Sequence, residues 1–416
     1  MGMTDITLCT LGTRGDILPF VALGRELRQR GHVVTILSNA NWADMVTSHG
    51  LEFEAIAPQD PTQSGRDDYH FFIENTLPSF SRSFGIVKDR VGAKSGKQVL
   101  IYRSNMLGME CAAEVFRLPH IKVVLQPSAI RSFERPPWPL TPLATGRLRP
   151  LFRHVVIPAL YGMAEFTRKY RSHTNRFRRS VGMSVPWGRP PAFGSENATL
   201  VFAPPWYAMP QKDWPQNCHC IGFPFLDTGA EDSGIAELYA CRGAPLVFTP
   251  GTGVANTAAF FDKAEAVCAH LELPAIFLSR NVVPRSHAPH ILTRDFVDMA
   301  WLLKRARLII HHGGIGTTAQ ALRAGVPQII VPDRFDQPDN AQRIARLGLG
   351  AAVMKDTLSP EQWANLIREL LDAPLVRQRL AKVSSDVQRN LAVSRAADVI
   401  ASVLAGATSA CLRETA

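Results

Sequence analysis

The sequence predicts an α/β chain of two doubly wound, Rossmann-like domains facing a central cleft. Three observations point there. Apolar strand-length runs alternate with helix-period segments over residues 6–125, the same rhythm resumes at Leu246, and a stretch rich in Pro, Gly and Asp separates the two series. Such alternation implies parallel strands covered by helices on both faces, with ligands held at the carboxyl ends of the strands. The composition agrees. A chain of 416 residues allows two or three domains, and 46% hydrophobic with 20% charged residues excludes a disordered chain or a small disulfide scaffold.

In sequence order, Ile6–Leu11 reads as a strand that runs into Gly12-Thr13-Arg14-Gly15-Asp16. A helix follows from Ile17, with Phe20, Val21, Leu23 and Leu27 at helical spacing, and Gly31 stops it. Val33–Leu37, a short helix over Trp42–His49, and the strands Phe53–Ile56, Val99–Tyr102 and Ile121–Leu125 continue the pattern. Between Pro127 and Pro191 the rhythm breaks. The segment is proline-rich at 135–139, then basic and aromatic through Arg147, Arg149, Arg153, Arg168, Lys169, Arg171, Arg176, Arg178 and Arg179. It reads either as insertion helices packed on the first domain with solvated arginines, or as a basic amphipathic surface in peripheral contact with an anionic membrane. Thr199–Ala203 returns to the first sheet, and Pro204–Gly243 has linker composition. Strands at Leu246–Thr249, Ala275–Leu278, Leu308–His311, Ile329–Val331 and Ala351–Met354 follow, and a long helical stretch covers Pro374–Leu404. The boundaries are therefore 1–220 for the first domain (insertion about 127–191), 221–243 for the linker, 244–390 for the second domain and 391–416 for a helix and tail.

Lys and Arg total 46 against 36 acidic residues, a net charge of +10 that suits an anionic ligand. No nucleic-acid-binding motif accompanies it, so nucleic acid is not an expected partner. Seven scattered cysteines, with no CxxC pair, fit a reducing compartment. Cys218-His219-Cys220 has no second ligand pair at zinc-site spacing, so no metal is expected. The N-terminus lacks the basic and apolar regions of a signal peptide, and no apolar run is long enough to span a bilayer, so a cytoplasmic location is expected.

The most specific segment is Ile310-His311-His312-Gly313-Gly314-Ile315-Gly316-Thr317-Thr318, which follows an apolar strand and opens a helix. Glycines there let backbone N–H groups approach a ligand, and the helix dipole favours an anion such as a pyrophosphate. Neither the dinucleotide fingerprint nor a P-loop is present, which disfavours a nicotinamide dehydrogenase. One strand later, Asp333-Arg334-Phe335-Asp336-Gln337-Pro338-Asp339-Asn340 offers acceptors for sugar hydroxyls, or a helix cap at Asp336 or Asp339.

These residues carry a resemblance. HHGGIGTT followed by AGVPQIIVPDRFDQPDNA resembles the nucleotide-sugar motif of the family 1 (UGT-like) glycosyltransferases, which have the GT-B fold. LGTRGDILPFVALGREL is similar to the opening of sterol and glycopeptide-antibiotic glycosyltransferases. The Pro-Pro-Trp-Pro segment, Lys212-Asp213-Trp214-Pro215 and Gly222-Phe223-Pro224 look closest to the bacterial rhamnosyltransferases of rhamnolipid synthesis. The resemblance implies an acceptor-binding first domain and a donor-binding second one. It implies that His311 and the backbone of Gly313, Gly314, Gly316 and Thr317 bind the donor phosphates, and that Asp336 and Gln337 hold sugar hydroxyls. Thr249, Gly251 and Thr252 would flank the phosphates, and Phe296 and Val297 would bracket a uracil or thymine base. Asp16 stands where many relatives carry a basic histidine, and it doubles as a candidate N-cap for the helix from Ile17.

The implied activity is inverting transfer of a hexosyl group from a UDP- or TDP-sugar to a hydroxyl of an apolar or amphiphilic small molecule, with the sugar nucleotide as co-substrate and no metal or other cofactor. Phe71, Phe72, Phe80, Phe84, Phe133 and Trp138 supply aromatic surface for such an acceptor, or simply core. The alternatives are a nucleotide-sugar 2-epimerase of the same fold and a non-catalytic nucleotide-sugar-binding partner protein.

Overall fold

The computed structural model describes residues 3–58, 76–93, 97–130, 132–136, 150, 156, 165–183, 195, 197–227, 229–251, 258–279, 288–354, 358–389 and 391–406, the side chains of 165–171 excepted. The protein forms two compact units, Met1–Leu226 with Leu391–Ala416, and Asp227–Asn390.

The first unit contains β1 (Asp5–Cys9), α1 (Arg14–Gln29), β2 (Val33–Asn39), α2 (Ala43–Ser48), β3 (Glu52–Ala57), α3 (Leu77–Ala93), β4 (Gln98–Arg103), α4 (Leu107–Phe116), β5 (His120–Val124), α5 (Glu165–Ser180), β6 (Ala198–Val201), α6 (Pro205–Ala208) and β7 (Cys218–Cys220). Its strands pair in parallel in the order β3-β2-β1-β4-β5-β6-β7. Strand order reverses between β1 and β4, so the loops after these two strands diverge and leave a crevice at their carboxyl ends. The strands are apolar on both sides because both faces are covered: Ile6 and Leu8 join one buried cluster with α1, Cys9 and Tyr102 join another with α4.

The second unit contains α7 (Ser233–Arg242), β8 (Leu246–Thr249), α8 (Ala258–Leu271), β9 (Ala275–Leu278), β10 (Ile291–Arg294), α9 (Met299–Leu303), β11 (Leu308–His311), α10 (Ile315–Ala324), β12 (Gln328–Ile330), α11 (Gln337–Leu347), β13 (Gly350–Ala352), α12 (Pro360–Asp372) and α13 (Pro374–Gln388). Its parallel order is β10-β9-β8-β11-β12-β13, reversing between β8 and β11. The last helix, α14 (Ala392–Leu404), belongs to the first unit, where Ala396, Ala397, Val399 and Ile400 complete the cluster under α1. Arg30 anchors it through Asp398 at 2.6 Å and the Ser394 hydroxyl at 2.9 Å.

Four expectations change. The first helix starts at Arg14, three residues earlier than read, with Thr13 at its N-cap and Asp16 in its first turn. The linker composition at 221–243 hides α7, whose Ile235 and Leu238 are buried in the second unit. The helical stretch 374–404 is two helices belonging to different units, α13 and α14. An unforeseen edge strand, β10, extends the second sheet. In the basic insertion, Thr174, Phe177 and Arg178 of α5 turn inward: Phe177 packs against Phe80 and Phe84, and Arg178 reaches Glu114 at 3.5 Å. This supports insertion packing and gives the membrane reading no support. The arginines at 147, 149 and 153 lie outside the described residues. Among the described residues no helix is long and apolar enough to cross a membrane.

Candidate functional site

The turn between β11 and α10 is built around two histidines with opposite orientations. His311 ends a strand buried on both faces, and its side chain is fully buried. Its Nδ1 accepts the Gly313 N–H at 3.1 Å, which leaves the proton on Nε2 for Gln328 Oε1 at 2.9 Å. Burial pushes its pKa down to about 3, so the ring is neutral. The expectation that the His311 side chain grips phosphate is therefore corrected: both ring nitrogens are occupied within the protein, and the residue sets the turn.

His312 lies on the other side, since successive residues of an extended strand alternate. Its ring wedges between the β8 loop and the turn. A Cβ at Gly251 would lie 2.5 Å from ring atoms Cε1 and Nδ1, and one at Gly314 would lie 2.6 Å from Nε2. Gly251 also has φ +87° and Gly313 φ +93°, and a Cβ at Gly313 would strike Ile330 Cγ2 at 2.5 Å. Burial lowers the His312 pKa to about 4, and the Thr249 backbone and the charge of Asp333 oppose that shift. Sequence reading missed His312 because parity at a strand end depends on register.

Gly314 is the N-cap of α10 and offers no side-chain cap, and no acidic residue stands in the first turn. The leading N–H groups of a helix lack intrahelical acceptors and favour an anion. Gly316 is exposed, with nothing within 4 Å of the position a Cβ would take, so protein packing does not demand glycine there. Thr317 is half-buried beside it. Thr249 ends β8, and its hydroxyl accepts the Gly251 N–H at 3.4 Å. Thr252 lies outside the described residues.

The β12–α11 segment is tied to this turn. Asn340 Nδ2 donates to the Gly313 carbonyl at 2.9 Å and to Asp336 Oδ2 at 2.7 Å. Asn340 is fully buried. Sequence reading singled out Asp336 and Gln337 and missed Asn340 as a site residue, although its spacing of four from Asp336 put both on one helix face. Gln337 is corrected in part: its Oε1 accepts the Asp333 and Arg334 N–H groups at 2.8 and 3.1 Å, so only its amide nitrogen remains for a sugar. Asp336 stands at the N-cap of α11 but makes no side-chain cap bond, and Asp339, in the first turn, pairs with Arg343 at 2.6 Å. Phe296 is 44% exposed, whereas Val297 is buried with Trp301 and Leu302. The Val297 side chain is core and does not bracket a base.

In the first unit, Asp16 sits at the β1–β4 crevice. Thr13 donates to Asp16 Oδ2 through its N–H at 2.8 Å and its hydroxyl at 3.1 Å, and Arg103 Nη1 meets Oδ1 at 2.9 Å. Asp213, from the Lys-Asp-Trp-Pro motif, plays a local role: it accepts the Ser132 hydroxyl at 2.8 Å and the Phe133 N–H at 2.6 Å. Of the six aromatics, Phe80 is core, Phe84 is half-buried against it and Phe133 is 37% exposed, while Phe71, Phe72 and Trp138 lie outside the described residues. Among the described residues no His, Cys, Asp and Glu cluster could hold a metal, and burial raises the Cys218 and Cys220 thiols to about 12.

Residues 6–94 match the Glycosyltransferase family 28 N-terminal domain, and residues 276–404 match the Erythromycin biosynthesis protein CIII-like C-terminal domain. O-mycaminosyltylonolide 6-deoxyallosyltransferase of Streptomyces fradiae is 28% identical over 95% of this chain and 96% of its own length. A sterol 3-beta-glucosyltransferase of Cryptococcus neoformans var. neoformans serotype D is 25% identical over 95% of this chain, which spans 27% of that protein. Among solved structures, the glycotransferase of kitacinnamycin aligns with a TM-score of 0.74 at 21% identity, covering 97% of this chain and all of its own. Glycosyltransferase VinC, solved in complex with dTDP, aligns at 0.65 and 18%, again over 97% and 100%. Two doubly wound parallel sheets, a Glycosyltransferase family 28 N-terminal domain match in the first and likeness to glycosyltransferases over nearly the whole chain make this protein a glycosyltransferase of the GT-B class.

Proposed function

We propose that the protein moves a hexosyl group from a TDP- or UDP-sugar to a hydroxyl of an apolar or amphiphilic small molecule, in the cytoplasm and with inversion at the anomeric carbon. One observation carries the donor reading: the β11–α10 turn holds His312 between Gly251 and Gly314 and opens a helix N-terminus that no acidic side chain fills. A diphosphate suits that environment. The names of the relatives, a 6-deoxyallosyltransferase and a sterol glucosyltransferase, and the dTDP held by VinC favour the same donor and acceptor classes.

In the proposed reaction the acceptor oxygen attacks the anomeric carbon from the face opposite the diphosphate. The bond from that carbon to the phosphate oxygen breaks, and its electron pair leaves with the nucleoside diphosphate. The helix N-terminus and His312 stabilise that departing charge. The acceptor proton passes to Asp16, and no covalent enzyme intermediate or resident metal is required. The test incubates the protein with TDP- and UDP-hexoses and a panel of hydroxylated apolar acceptors, with and without EDTA. Acceptor-dependent release of nucleoside diphosphate, EDTA-insensitive, with an inverted anomeric configuration by NMR is expected. Release without acceptor, or retained configuration, overturns the reading.

A further inference from the structure

We infer that Arg103 is a positioning residue for Asp16, holding its carboxylate in the one orientation from which Oδ1 can receive the acceptor proton. The inference rests on the proposed role of Asp16 as base. Oδ2 is closed off by the protein. It accepts the Thr13 N–H and hydroxyl, and Gly12, at φ +132°, leaves room for it: a Cβ there would stand 2.3 Å from Oδ2. The remaining oxygen, Oδ1, meets Arg103 Nη1 at 2.9 Å. An ionised carboxylate oxygen has about two lone-pair directions, so one stays open once the guanidinium takes the other.

Arg103 is itself held. It ends β4, the neighbour of β1 across the point where strand order reverses, with Tyr102 in register with Cys9. The same Nη1 donates to the Leu11 carbonyl at 2.9 Å. Leu11 leads into Gly12, whose N–H donates to Asn39 Oδ1 at 3.0 Å and whose carbonyl accepts the Trp42 Nε1–H at 3.2 Å. A single guanidinium thus locks both the loop and the carboxylate at its edge. Displacing a reacting group by an ångström costs about a hundredfold in rate, so the lock acts on kcat rather than on acceptor binding.

The experiment is a double-mutant cycle in the full-length protein: wild type, Arg103→Gln, Asp16→Asn and the double variant, with Arg103→Lys and thermal unfolding as controls. Arg103→Gln should lower kcat about tenfold to a hundredfold at nearly unchanged acceptor KM, and Arg103→Lys should restore most of it. In the Asp16→Asn background the same change should cost nothing further. An equal loss in both backgrounds, or a rise in acceptor KM, overturns the inference, since Arg103 would then act independently of Asp16 or touch the acceptor itself. If Asp16→Asn keeps full activity, the reading of Asp16 as base fails instead. If Arg103→Gln does not fold, Arg103→Lys without recovered kcat overturns the inference on its own.

Discussion

The turn after β1 and the turn after β11 each lie beside the strand-order reversal of their own sheet, yet they are filled oppositely. In the first unit the helix cap is Thr13 and the third helical residue is Asp16, whose carboxylate takes the Thr13 N–H. In the second unit the cap is Gly314 and the third helical residue is Thr317, with no acidic side chain in the first turn. One unit carries its own anion at the helix N-terminus and the other carries none, which is the difference the proposed phosphate site rests on. The third helical position, Asp16 in one unit and Thr317 in the other, thus carries the difference between the loop proposed for proton transfer and the loop proposed for phosphate.

Four changes break or sharpen this contrast. The largest effect is expected from Thr317→Asp, which copies the Asp16 arrangement into the second unit. It should lower nucleoside diphosphate affinity at least a hundredfold by calorimetry while leaving the helix folded, because the new carboxylate competes for the same N–H groups and repels the ligand. Unchanged affinity would remove the phosphate from this turn. Next, Asn340→Ala leaves the buried Gly313 carbonyl and Asp336 without this donor. A destabilisation of about 1–3 kcal/mol in urea unfolding is expected, with a raised donor KM.

The third prediction concerns acid. Burial holds His311 and His312 neutral, with pKa values pushed down to about 3 and about 4 from 6.5. The unfolded protein therefore binds more protons below pH 6.5, so stability is complete above that pH and falls as pH drops towards 4. His311→Asn should flatten this slope by about one proton in denaturant titrations between pH 6.5 and 4. The smallest change is Gly316→Ala. With open space at its Cβ and a helical position, it should gain up to about 1 kcal/mol in stability, yet weaken donor affinity by crowding the ligand.

Much of this contrast was legible in the sequence, and the rest was hidden for identifiable reasons. Apolar runs bounded by Gly and Pro located most strands, because parallel strands buried on both faces leave few alternatives. The glycines at 313, 314 and 316 announced the turn. Which of two adjacent histidines faces outward depends on where the last strand residue falls, and a one-residue difference exchanges His311 for His312. Arg103 left no local trace, since its tie to Asp16 exists only because β4 lies beside β1 in the sheet. Val297 sits next to an exposed aromatic, and only its burial with Trp301 shows it to be core. The linker composition at 221–243 misled because Asp232, a turn-like residue, caps α7 by accepting the Ile235 N–H at 3.0 Å.

The placement of α14 in the first unit has a consequence for synthesis. A ribosome emits residues 227–390 before the helix that carries Ala396, Ala397, Val399 and Ile400 into the core beneath α1. The second unit is drawn from one continuous run and can finish folding while the first still waits for its closing helix. The usual order, in which the segment made earlier is completed earlier, is therefore not imposed by this topology.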